Sequence, residues 1–103
     1  MPDLTPDILR LEAHLRETIL SAFPTAVPMN LAENPTPALP DKRAMACYAL
    51  SILDVVMGTQ GGTLHPSAHA SRAERQIRFV EGLLLGIGVL TVEEIIDLDD
   101  QWW

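Results

Sequence analysis

The chain is poor in cations, aromatic residues and cysteine, and each shortage narrows what it can be. Its one lysine, Lys42, and six arginines stand against 14 Asp and Glu, for a formal net charge of −7. Proteins that grip phosphates do so with cations. This balance therefore argues against direct nucleic-acid binding and against docking on anionic membranes. It suits solubility or a basic protein partner. Aromatics make up 5% of the residues while hydrophobic residues reach 48%. The core must therefore be aliphatic, and the apolar content is too high for a disordered chain. Cys47 is the only cysteine, which excludes an intrachain disulfide and fits a reducing cytoplasm. The N-terminus lacks a basic stretch followed by an apolar one, so no secretion signal is expected. The longest apolar run, 82–90, is far too short to span a bilayer. No stretch alternates for long enough to read as a strand.

What is present points to one all-α domain over residues 1–103. Thr5 as cap, Pro6 at the first helical position and Asp7 in the first turn open a helix over 6–22. Leu4 and Leu9 have the spacing of a hydrophobic staple. Ile8, Leu11, Leu15, Ile19 and Phe23 form its apolar stripe, with Arg10, Glu12, Arg16 and Glu17 off it. Prolines 24, 28, 35, 37 and 40 then forbid a helix or a central strand over 24–40. An extended strap pinned by Val27, Met29 and Leu31 is the expectation. Asp41 and Gly58 bracket a second helix over 41–57. Between Ala44 and Met57 only Ser51, Asp54 and the Tyr48 hydroxyl are polar. A helix this apolar must be covered on most sides, either by the chain itself or, as we expect, partly by a second copy in a homodimer.

A loop punctuated by Gly61-Gly62 and His65-Pro66 precedes a third helix over 71–88, opened by the capping box Ser71-Arg72-Ala73-Glu74. Its apolar face is Ala73, Ile77, Val80, Leu84 and Ile87. Gly82 and Gly86 suggest a close helix approach, and Gly88 a stop. Glu74 lies four residues before Arg78, so an intrahelical pair is expected. Arg72, Arg75 and Arg78, with Glu74 and Glu81, read as a solvated face. Thr91-Val92-Glu93-Glu94 is a second capping box for a short helix over 92–99, with Val92, Ile95, Ile96 and Leu98 as its buried side. Asp97, Asp99 and Asp100 oppose the helix dipole, so this end should fray unless a cation or a partner compensates.

No constellation carries chemistry. His65 and His69 are four apart, but Pro66 interrupts them and no further ligands stand near, so no metal or cofactor is expected. Cys47 sits in the apolar run 44–50 and reads as a core thiol, not a nucleophile. A rival enzyme or metal protein would have to use His65, His69 and Cys47. The stronger signals are for protein binding. Tryptophan is enriched at binding hot spots, and Trp102 and Trp103 follow a run of carboxylates. The expected partner-binding or dimer-interface residues are Tyr48, Ile52, Val55, Val56, Ile95, Leu98, Trp102 and Trp103.

Three stretches, Asp7-Ile8-Leu9-Arg10-Leu11-Glu12, the segment 75–84 (Arg75 to Leu84) and Thr91-Val92-Glu93-Glu94, give the chain a pattern that resembles the QslA-like quorum-sensing anti-activators. The resemblance implies a cytoplasmic, all-helical, non-enzymatic dimer. It implies as partner the ligand-binding domain of a LuxR-type transcription factor, whose dimerisation and DNA binding are blocked. It assigns no contact residues. The alternative is a phage-type anti-defence protein whose carboxylates mimic DNA in a basic protein channel, for which a net charge of −7 is the support. A structural subunit with a dedicated partner is the remaining reading.

Overall fold

A computed structural model describes residues 6–58 and 70–102; of 70–72, 101 and 102 it describes the backbone alone. The four helices are α1 (Pro6–Ala22), α2 (Lys42–Met57), α3 (Ala70–Gly86) and α4 (Val92–Trp102), and no strand occurs among the described residues. Thr5, Leu4 and the loop glycines and histidines lie outside the described residues, and so does the staple that Leu4 would form.

The stops and starts follow local chemistry. Asp41 caps α2, its carboxylate accepting the Ala44 N–H at 2.7 Å. Gly58 ends α2 at φ 76°, and its N–H reaches the Asp54 and Val55 carbonyls. Gly88 takes φ 81° just past α3, where Val89 N–H bonds the Leu84 carbonyl at 2.9 Å. The second capping box closes reciprocally: Glu94 N–H donates to Thr91 Oγ1 at 3.1 Å and Thr91 N–H to Glu94 Oε1 at 3.0 Å. α3 begins at Ala70 and ends at Gly86, so its bounds shift toward the N-terminus from those expected.

α2 packs chiefly on α3, α1 lies against both, and α4 rests on α1. The body is a slab of 33 × 32 × 19 Å, about two helix diameters thick. Leu11, Leu15 and Ile19 from α1, Leu50, Leu53 and Val56 from α2, and Ile77, Val80 and Leu84 from α3 are its fully buried centre. The expected α3 face is therefore the observed one. Cys47 is a buried free thiol.

Residues 23–41 form no regular element but are tied down. Ser51, wholly buried on α2, accepts the Met29 N–H at 2.6 Å and donates to the Cys47 carbonyl at 2.8 Å. Arg43 reaches back to the Thr25 carbonyl at 2.8 Å. Ala26 and Leu31 are buried and Met29 half-buried, but Val27 is 62% exposed and pins nothing. Together with α1 and α3 the strap sheathes α2. No residue from Ala44 to Gly58 is fully exposed, so the chain itself covers most of its most apolar helix.

Several expectations need correction. Gly82 and Gly86 are exposed, and a Cβ added at either would meet nothing within 4 Å, so they mediate no close approach among the described residues. Val92 and Ile96 are 59% and 53% exposed, leaving Ile95 and Leu98 as the inward side of α4. Glu12 and Glu81 are buried, not on solvated faces. α4 also continues to Trp102, past the expected fraying point, and a cation stands beside its acidic end: Arg78 donates to Asp99 at 3.2 Å.

Candidate interaction surface

The surface builds from a helical spacing on α2. Met45, Tyr48, Ile52 and Val55 are three, four and three residues apart, which keeps them on one stripe. All four are half-buried, at the edge of the core instead of inside it. Met45 and Ile52 pack on core residues from its rim. Phe79, on the outer side of α3, stands at 49% exposure and meets the Tyr48 ring edge-on, with centroids 6.2 Å apart at 90°. Such T-shaped pairs place ring edge against ring face and hold both rings in a defined orientation. The result is a seam between α2 and α3 that presents aliphatic side chains and two aromatic rings to the outside.

Of the eight residues expected at an interface, Tyr48, Ile52 and Val55 fall on this seam. Val56 and Leu98 are core residues, 0% and 6% exposed, and offer no surface in this fold. Ile95 is half-buried on α4, which contributes nothing to the α2–α3 stripe, and packs on the core. The Trp102 side chain and Trp103 lie outside the described residues. Phe79 was missed by pattern reading, although a signal was there. It breaks the face defined by Ala73, Ile77, Val80 and Leu84, and a phenyl ring on the wrong side of an amphipathic helix has no core to enter.

On the opposite side of α2 the polar groups are satisfied locally. Arg16 donates to Glu12 at 2.7 Å and to Asp54 of α2 at 2.8 Å, stitching α1 to α2. Burial lowers the Arg16 pKa, but the bonds to Asp54 and Glu12 outweigh it and raise the group above its ordinary value. A shallow open depression of about 440 Å³ runs beside this cluster along Glu12, Ala13, Arg16, Glu17, Leu20 and Ser21. All six residues belong to α1, so it is a groove along one helix and not a chamber that encloses a substrate. Among the described residues, no group of three or more His, Cys, Asp and Glu could hold a metal ion. No helix among them is long and apolar enough to cross a membrane.

Fold and surface together define a small all-α domain with an apolar, aromatic-bearing seam on its outside. Compared with known proteins, the chain matches no family model, no curated protein and no solved structure.

Proposed function

We propose that this chain is a non-enzymatic regulatory protein that binds a LuxR-type transcription factor and blocks its dimerisation, and with it DNA binding. The observation that supports binding is the α2–α3 seam, where Tyr48, Ile52 and Val55 line up beside the half-exposed Phe79. Interface centres are apolar and rich in aromatic residues, and the seam has that make-up in a chain with few aromatics. The class of partner rests on the resemblance of residues 7–12, 75–84 and 91–94 to the anti-activators. In the absence of a partner, the same seam closes against a second copy of the chain, giving a cytoplasmic homodimer.

The test uses a purified LuxR-type regulator bound to its operator. The protein is expected to release the regulator from DNA. Phe79→Arg should weaken that release at least about tenfold, since loss of a central aromatic contact costs on the order of 2 kcal/mol, while helix content stays unchanged because the ring is half in solvent. Release that is equally strong with Phe79→Arg would remove the seam from the mechanism. Failure of the unaltered protein to bind any LuxR-type regulator would remove the partner class.

A further inference from the structure

Glu81 sits on α3 at 2% exposure, and its Oε2 has no hydrogen-bond partner among the described residues. An unsatisfied buried carboxylate oxygen is costly when ionised and far cheaper when the group is neutral. The cation nearest along the helix, Arg78, is engaged elsewhere. Its guanidinium donates to Asp99 of α4 at 3.2 and 3.4 Å and to Glu74 at 3.4 Å. The charged groups that act on Glu81 are Asp99, from α4, and Arg78, from its own helix. The buried polar residues of α1 and α2 are Glu12, paired with Arg16, and Ser51, bonded to the strap. α3 and α4 are joined through the Arg78–Asp99 ion pair, and the buried Glu81 lies one turn along α3 from it, within reach of the Asp99 charge.

From this cluster we infer that Glu81 is a proton-operated latch for α4: when neutral it lets α4 seat against the body, and when ionised it drives α4 away. Burial first, then the like charge of Asp99, pushes the Glu81 carboxyl up to about 7, with Arg78 pulling the other way. With α4 lifted, water and distance from Asp99 return it toward the ordinary value of 4.5. The seated state thus binds its proton more tightly than the lifted one. Stability of the seated state is complete below about 4.5 and falls as pH rises toward 7. Above that both forms are deprotonated and nothing further is lost. Because α4 carries the exposed Val92 and Ile96 and leads to the terminal tryptophans, the latch makes presentation of this end of the molecule pH-dependent.

Hydrogen exchange read by mass spectrometry on the full chain tests this, comparing peptides from α4 and α2 from about pH 4.5 to 8, corrected for the intrinsic pH dependence of exchange. The opening equilibrium of α4 should rise on the order of a hundredfold up to pH 7 and then level off, while α2 changes little. Glu81→Gln, which mimics the neutral acid, should abolish the rise. A carbon-detected titration of the Glu81 carboxyl supplies a second measurement should that variant fail to fold. Its midpoint should lie near 7 in the native chain and fall in Asp99→Asn. A flat α4 profile, a rise that survives in Glu81→Gln, or an ordinary Glu81 midpoint overturns the latch.

Discussion

Ser51 shows how one hydroxyl can organise a segment that has no secondary structure. Among the apolar residues of α2 it is wholly buried and joins Met29 of the strap to the Cys47 carbonyl. Serine back-bonding to a carbonyl four residues earlier is an ordinary helical habit. Here the same oxygen also accepts from a chain segment 22 residues away. Ser51→Ala should lower stability by about 1–2 kcal/mol, measured by urea denaturation, and should speed proteolysis within residues 24–40. Unchanged proteolysis would mean that Ala26 and Leu31 hold the strap without the hydroxyl. Arg16 plays the matching part for charge, since it pairs with both Glu12 on its own helix and Asp54 on the next.

At the scale of the element, the glycines of α3 separate two roles. Gly82 is in mid-helix, exposed, with open space where a side chain would go. Gly82→Ala should therefore stabilise the protein by about 0.5–1 kcal/mol, through helix propensity and a less flexible unfolded chain. Gly88 also has open space, but at φ 81° a Cβ strains the backbone. Gly88→Ala should cost roughly 1 kcal/mol despite that space. Thermal melts of the two variants should move in opposite directions. A Gly82→Ala variant that is less stable, with an altered mass in solution, would instead place a second chain against that face. The acidic end of α4 has the matching explanation: negative charge at a helix C-terminus opposes the dipole, and the Arg78 guanidinium is held against Asp99 there.

For the whole molecule, the slab shape matters. A body 19 Å thick has broad faces for its volume, so edge residues such as Tyr48, Ile52 and Val55 stay half-covered however well the centre packs. The homodimer reading depends on that seam, because the strap, α1 and α3 already cover most of the rest of α2. Light scattering at micromolar concentration should return about twice the chain mass of 11.3 kDa, and Phe79→Arg should halve it. A monomer mass for the unaltered protein would sink the homodimer, while leaving a heterologous partner for the seam open to the DNA-release assay.

The sequence by itself determined the helices, because their signals are local. Caps such as Asp41 and the Thr91–Glu94 box, stops such as Gly58 and Gly88, and apolar stripes such as Ile8–Leu11–Leu15–Ile19 need only neighbours within a turn or two. The prolines likewise fixed the strap. Only the tertiary structure decided which apolar residues are core and which are edge. Val56 and Val55 are adjacent on one helix, and nothing local says that the first is sealed while the second is half-open. Val92 and Ile96 looked as buried as Leu98, yet α4 turns a single side inward. Tertiary packing also decided the fate of the charges. Glu12 and Glu81 both read as surface carboxylates, but packing buries both, giving one an arginine and leaving an oxygen of the other without a partner among the described residues. Spacing along a chain records which residues share a helix face, whereas burial depends on what other helices bring to that face.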